Sequence, residues 1–287
     1  MSKRTAGHGF EEAPEDFLAA RDDFSLASVD PASTPGFSGG KVRGEELLAA
    51  RDPHLSDLQE RLFAEGRSGG QRSLLLLLQG MDTSGKGGMV SHVVGGVDVQ
   101  GVQLAAFRTP SDEERRHDFL WRVEKELPRP GMLGCFDRSH YEDVLVPRVH
   151  GEIDGVELER RYRAILDFEA RLHGNGTRLI KVMLHISRDE QKRRLASRLD
   201  DPTKYWKYAP SDLAERRYWD DYMAAYQAAI ERTGTADAPW YVVPADNKWY
   251  SRMAVQELLV AALESMDPQW PPASFDVDEE KRRLAAS

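Results

Sequence analysis

The chain has a single cysteine, Cys135. A lone thiol closes no internal disulfide and cannot build a cysteine-based zinc cluster. With no apolar leader in the opening MSKRTAGHGFEEAPEDF, it points to a reducing, cytoplasmic setting. Long apolar runs are also missing. The most strongly apolar one, Leu74 to Leu78, falls far short of the roughly 20 residues that cross a bilayer, so no membrane partner is expected. Basic residues are in deficit: 39 Lys and Arg against 48 Asp and Glu leave a net charge of −9. A chain that grips nucleic acid by bulk charge is basic, so no nucleic-acid partner is expected and any polyanion must meet a local patch. Glycine (23) and proline (15) stand near ordinary levels in 287 residues, which excludes collagen-like and linker-like chains. The 40% hydrophobic and 30% charged residues instead support a packed core in one or two domains.

Residues 1–44 are rich in Gly, Pro, Ser, Ala and acids, with little periodicity, and read as an extension that is loose or draped over the domain. Residues 271–287 read as a similar tail, leaving 45–270 as the folded domain. Within it, apolar runs at Leu74–Leu78, Val102–Phe107, Met132–Phe136, Leu179–Ile186 and Trp240–Val243 each precede a turn signal and a helical pattern. Three helices open with Ser-x-x-Glu (Ser111/Glu114, Ser139/Glu142, Ser187/Glu190), the capping-box signature. Five strands alternating with helices predict an α/β fold with a five-stranded parallel sheet covered on both faces. Ligands of such sheets bind beyond the carboxyl ends of the strands.

Directly after the first strand stands Gly80-Met81-Asp82-Thr83-Ser84-Gly85-Lys86-Gly87-Gly88. This is a G-x-x-x-x-G-K loop in the context it requires, strand before and helix after. Its glycines let several backbone N–H groups face phosphate oxygens, the helix adds its positive end, and Lys86 adds a point charge. The Ser or Thr that ordinarily follows the lysine and ligates Mg²⁺ is Gly87. Asp82 within the loop is expected to replace it, since a carboxylate beside bound phosphate needs a cation between them. The other reading of Asp82 is a turn former pointing outward.

The third strand ends in Asp137-Arg138. Beside a phosphate loop, an acid at that position suits a metal ion, and the planar fork of Arg138 suits a phosphoryl oxygen; alternatively, Asp137 caps or pairs with Arg138. Glu142 completes a capping box on one reading, and His140 reads as a satisfied surface or helix-start histidine rather than a phosphohistidine. Between residues 187 and 207, Arg188, Lys192, Arg193, Arg194, Arg198, Lys204 and Lys207 outnumber four acids. Arg194 and Arg198 share a helix face, and Asp201-Pro202 breaks the helix. This basic helix–turn–helix, between the fourth and fifth strands at about residues 187–218, reads as a helical lid over the phosphates. Tyr205, Trp206 and Tyr208 are expected to pack its turn rather than to stack on a base.

LQGMDTSGKGG, GGVDVQGVQLAAF, HDFLWRVEKELPRPG, FDRSHYEDVLVPRVHG, LHISRDEQKRRLASRLDDPTKYWK, ERRYWDDY and APWYVVPADNKWYSR, in this order, resemble the polyphosphate kinase 2 family from about Leu47 to Leu263. The resemblance implies a three-layer P-loop kinase fold with a helical lid, a cytoplasmic homo-oligomer, and Mg²⁺-dependent phosphoryl transfer between inorganic polyphosphate and nucleotides (AMP, ADP, ATP). It implies phosphate cradling by Gly80, Thr83, Ser84, Gly85, Gly87 and Gly88 with Lys86, and metal handling by Asp82 and Asp137. Phosphate contacts fall to Arg138, Arg194, Arg198, Lys204 and Lys207, and nucleotide selectivity to Glu142, as in the branch that accepts both AMP and ADP. Two departures are Gly87, where an acid is frequent, and Asp98-Val99, where Asn-Pro is usual. The expected activity is transfer of the terminal phosphoryl of polyphosphate to ADP or AMP. The alternatives are an ATP-dependent nucleotide kinase and a non-catalytic polyphosphate- or nucleotide-binding module.

Overall fold

The computed structural model describes residues 9–287. The first eight, on which part of the expectation of no apolar leader and the start of the predicted extension fall, lie outside the described residues. Five strands form one sheet: β1 (Ser73–Gln79), β2 (Val102–Ala106), β3 (Leu133–Asp137), β4 (Thr177–His185) and β5 (Trp240–Pro244). The order is β2-β3-β1-β4-β5 and every pairing is parallel. Central β1 explains its own composition. Leu74 to Leu78 are all fully buried, because a strand covered on both faces has no polar side to alternate with.

The helices are α1 (Pro14–Leu18), α2 (Gly40–Arg67), α3 (Lys86–His92), α4 (Trp121–Glu124), α5 (Glu142–Val149), α6 (Gly155–Gly174), α7 (Arg188–Leu199), α8 (Pro210–Glu215), α9 (Trp219–Thr233), α10 (Lys248–Met266) and α11 (Val277–Ala285). α2 packs on α10, which reaches β4, β5 and α3, while α5, α6 and α9 pack on one another. Helices thus cover the sheet in two layers, giving the three-layer α/β sandwich. α6 shows the sequence logic locally. Asp154 Oδ1 accepts the Glu157 N–H at its start, and Tyr162, Ile165, Phe168 and Leu172 are buried along one face.

Residues 9–39 are draped over the domain rather than loose. Phe10, Leu18, Leu26 and Phe37 are buried in the main core. Ala20 N–H donates to the Trp240 carbonyl at 2.8 Å, and Ala19 bridges Tyr241, so this segment covers the β5 edge that would otherwise stay unpaired. Position 44 falls inside α2. The 271–287 stretch carries α11, which is exposed throughout.

This topology delivers four strand ends to one rim. β1 runs into Gly80, β3 into Arg138, β4 into Ser187 and β5 into Asp246. Leu78 is paired with Asp137 on one side and Val182 on the other, which sets the acid of β3 beside the loop after β1.

Candidate active site at the phosphate loop

The loop after β1 is held by backbone geometry that its residues make necessary. Gly80 has φ +144°, and a Cβ there would lie 2.6 Å from the Leu184 carbonyl oxygen; Gly85 has φ +117°. Side-chain residues rarely adopt such angles. Thr83 adopts φ +66° despite its branched side chain, a strained conformation of the kind found at functional turns. Gly87 and Gly88 open α3, and a Cβ at Gly87 would meet nothing within 4 Å. The hydroxyls of Thr83 and Ser84 are buried without a hydrogen-bond partner.

Lys86 curls back into this loop, its Nζ donating to the carbonyls of Gly80 (2.6 Å) and Met81 (3.3 Å). One of its three donors is left for a ligand. Burial pushes its pKa below the usual 10.5; nearby Arg138 pushes the same way, and Asp82, Asp137 and Glu142 oppose.

Asp82 does not point outward. Its Oδ1 accepts from Arg138 Nη2 at 2.8 Å, while Arg138 Nη1 donates to Glu142 Oε2 at 2.9 Å. One guanidinium therefore joins the loop acid to the first residue of α5. Glu142, with Asp82 beside it, holds the Arg138 pKa well above its ordinary range. Arg138 sits at φ +66°, so the turn after β3 is strained where this fork is presented. Its partners are Asp82 and Glu142; no ion pair joins it to Asp137. The capping role for Glu142 is not realised. Ser139 Oγ accepts from Tyr141 N–H, and the Glu142 carboxylate faces Arg138. The Gln79 amide, oriented to satisfy its neighbours, also donates to Glu142 Oε1 at 3.0 Å. Ser111/Glu114 does form the reciprocal box, but on a three-residue 3₁₀ turn, Glu114–Arg116, rather than at the start of a helix. Ser187 caps the Glu190 N–H, while its own N–H goes to Asp246.

Arg194 departs from expectation. It is buried, and its fork is spent on the protein: Nε on Glu190, Nη1 on the Thr83 and Ser84 carbonyls, Nη2 on those of Ala245 and Asp246. With all five donors engaged, it tethers the loop to the end of β5. Arg198 Nη1 donates to the Lys207 carbonyl at 2.6 Å and lies 3.4 Å from Asp212, tying α7 to the turn. Lys204 pairs with Asp201 at 2.6 Å, and Lys207 lies over the Trp206 ring. Tyr205 and Trp206 do not pack the turn: they are 54% and 78% exposed. His140 is fully buried against Glu169.

Two cavities flank the Asp82–Arg138 pair. One, about 900 Å³, is lined by the loop from Asp82 to Met89, by Asp137, and by Lys86, Arg108, Arg138, Arg194, Arg198, Lys204, Lys207, Lys248 and Arg252. The other, about 830 Å³, is lined by Gly80 to Asp82, Glu142, Asp143, Leu145, Val146, Pro147, His150, Arg161, Tyr222 and Tyr226, among others. Asp82, Arg108, Arg138 and Asp212 line both. Sequence reasoning missed Arg108, Lys248 and Arg252. Their signal was position, since Arg108 follows the end of β2 closely and the other two lie in the first turns after β5. Burial, with Arg194 adding to it, pushes the Lys248 pKa down; burial also lowers that of Arg252. Such half-buried cations favour an anion between them.

A parallel sheet carrying a G-x-x-x-x-G-K loop at its central strand, a carboxylate–arginine pair on the neighbouring strand and a basic helical lid defines a phosphate-loop kinase, a transferase of phosphoryl groups. The model of the family Polyphosphate kinase 2 (PPK2) matches residues 40–271, and the chain belongs to this family. It is similar to the AMP/ADP-polyphosphate phosphotransferase of Meiothermus ruber, 46% identical over 86% of this chain and 91% of that protein. It is also similar to the ADP-polyphosphate phosphotransferase of Rhodopseudomonas palustris, 42% identical over 84% and 86%. The crystal structure of Polyphosphate Kinase 2 from Arthrobacter aurescens TC1 superposes with a TM-score of 0.95 at 60% identity, over 97% of this chain and 98% of that one.

Proposed function

We propose that this chain is a polyphosphate-dependent nucleotide kinase that moves the terminal phosphoryl group of inorganic polyphosphate directly onto ADP or AMP. One observation carries the reading: two cavities of similar size meet at Asp82 and Arg138, one lined by nine Lys and Arg against three acids, the other by five Arg balanced by six acids and mixed with apolar side chains. The cationic cavity suits a polyphosphate chain. The other suits a nucleotide, with Leu145, Val146 and Pro147 offering apolar surface and Tyr222 and Tyr226 aromatic rings. The family match and the names of the relatives support both substrates.

A phosphate oxygen of the acceptor attacks the terminal phosphorus of polyphosphate. The new P–O bond forms as the bridging P–O bond breaks, and the shortened polyphosphate leaves with the electron pair. The acceptor phosphate is largely ionised at neutral pH, so no general base is required. A phosphoanhydride is exchanged for a phosphoanhydride, so the reaction runs in both directions. The protein supplies position and charge. Lys86 and the loop amides hold donor phosphates, and Arg138 faces the transferring group from the seam. Arg194 keeps the loop in shape, and Arg198, Lys204 and Lys207 close from the lid.

Asp82 and Asp137 fit a Mg²⁺ ion. Both line the cationic cavity, and no group of three or more His, Cys, Asp or Glu forms a closed cage among the described residues. Two carboxylates that leave the other positions to substrate oxygens and water suit this ion, which would supply positive charge against the phosphates. We assign nucleotide selectivity to Glu142, the carboxylate facing Arg138 from the acceptor side. Among the described residues no helix is long and apolar enough to cross a membrane; the cytoplasmic location is proposed from the lone cysteine. A homo-oligomer accords with the outer edge of β2, where Leu104 is 53% exposed.

The test is incubation with polyphosphate, Mg²⁺ and either ADP or AMP, without ATP, followed by separation of the nucleotides. ATP formed from ADP supports the proposal. Product formed only when ATP is the donor supports the ATP-dependent alternative, and tight binding without turnover supports a binding module.

A further inference from the structure

Behind the turn that presents Arg138 lies a polar cluster buried in the core. Glu169 of α6 and Lys181 of β4 are 3% and 0% exposed. Lys181 Nζ donates to Glu169 Oε2 at 2.7 Å and to the Thr233 carbonyl at 2.8 Å. Glu169 Oε1 accepts from the Tyr141 hydroxyl at 2.7 Å and lies 3.3 Å from His140 Nε2. Burial opposes ionisation of Glu169, yet Lys181 and His140 hold its pKa below the ordinary value, so it remains an acceptor.

Such a pair is a poor way to gain stability. Removing two charges from water is costly, and apolar replacements of similar volume are often neutral or stabilising. What distinguishes this one is where its free oxygen points. His140 and Tyr141 follow Arg138 by two and three residues, and Arg138 itself is held at φ +66°. On the loop side the turn is fastened by the Arg138 N–H to the Leu78 carbonyl (3.0 Å) and by the Ser139 N–H (3.1 Å) and hydroxyl (3.0 Å), both donating to the Gln79 amide oxygen. On the core side the side-chain hydrogen bonds are those to Glu169 and its neighbours.

We propose that Glu169, fixed by Lys181, is a positioning residue for phosphoryl transfer: by holding Tyr141 and His140 from behind, it keeps the strained Arg138 turn aimed at the seam between the two cavities. The pair touches no substrate, so its loss acts on the rate of the chemical step rather than on binding. A small misplacement of a group at the reacting centre is enough, since about 1 Å can cost roughly 10²-fold.

The test compares Lys181→Met/Glu169→Leu, which removes the carboxylate and leaves the Tyr141 hydroxyl only Thr233 Oγ1, 3.0 Å away, with Lys181→Met/Glu169→Gln, which keeps a neutral acceptor for Tyr141 at position 169. Tyr141→Phe deletes only the hydroxyl. Steady-state kinetics with polyphosphate and ADP, thermal unfolding and amide exchange over residues 138–142 are measured on each. The Met/Leu variant is expected to keep its unfolding temperature and both KM values, to lose kcat by roughly tenfold or more, and to exchange faster over residues 138–142 alone. Tyr141→Phe should follow it, and Met/Gln should stay near wild type. Native kcat and native local exchange in Tyr141→Phe overturn the proposal, as does an equal loss in both double variants with a fall in unfolding temperature. The role rests on the phosphotransfer reading. Wild-type turnover in the same assay and the exchange data, which need no substrate, separate a failure of that reading from a failure of this one.

Discussion

Arg138 carries the heaviest burden of any single residue, because its fork joins the loop acid, the first residue of α5 and both cavities. Arg138→Ala and Lys86→Met are each expected to lower turnover by about 10³-fold or more while leaving the unfolding temperature close to wild type; near-native activity in either purified variant contradicts the assignment. Lys86 also gives the pH profile a sign. Its ammonium is present below its pKa and lost as pH rises through it, and burial has moved that pKa below 10.5. The alkaline limb of kcat/KM, which reports the free enzyme, should therefore fall below pH 10.5. The limb of kcat should lie higher, because bound phosphate favours the charged form. A kcat/KM limb at or above 10.5 contradicts this. Much of the site was legible at this scale because only a few residue types curl a backbone around phosphate. Arg194 was not, since sequence cannot distinguish a cation that meets phosphate from one that meets carbonyls. Arg108, Lys248 and Arg252 lie outside the phosphate loop and its lid, and only the folded rim brings them to the cavity.

The strands were legible as elements, since five leucines in a row admit no exposed face. The draped N-terminal segment was legible only as an extension: its anchors Phe10, Leu18, Leu26 and Phe37 follow no helical or strand period, and their partners are far away in sequence. The break of the basic helix at Asp201-Pro202 was read correctly: α7 ends at Leu199 and a 3₁₀ turn runs from Pro202 to Lys207. Its aromatics were misjudged, because aromatic residues in a turn usually bury, whereas Trp206 lines the mouth of the cationic cavity. Trp206→Ala is accordingly expected to leave stability within about 0.5 kcal/mol of wild type, as for other surface changes, and to weaken the apparent affinity for polyphosphate. A clear loss of stability in chemical denaturation would restore the packing view.

The whole molecule is acidic, yet the lining of one cavity carries nine cations against three acids. A net charge of −9 surrounding a cavity with Lys86, Arg108, Arg252 and the lid lysines focuses the field where a long polyanion must enter. Binding of such a chain releases counterions, so kcat/KM for long polyphosphate should fall steeply and linearly on logarithmic axes as salt rises, with a shallower dependence for ADP. Flat behaviour would point to a small donor. The division of the site into a donor side and an acceptor side is the claim on which the rest depends. The measurement that tests it most directly is a crosswise comparison of KM values in Arg252→Glu and Glu142→Gln. Arg252→Glu should raise KM for polyphosphate several-fold and leave that for ADP unchanged. Glu142→Gln should alter the preference between AMP and ADP and leave KM for polyphosphate unchanged. If Arg252→Glu instead weakens ADP and spares polyphosphate, the two cavities do not serve the two substrates as assigned here.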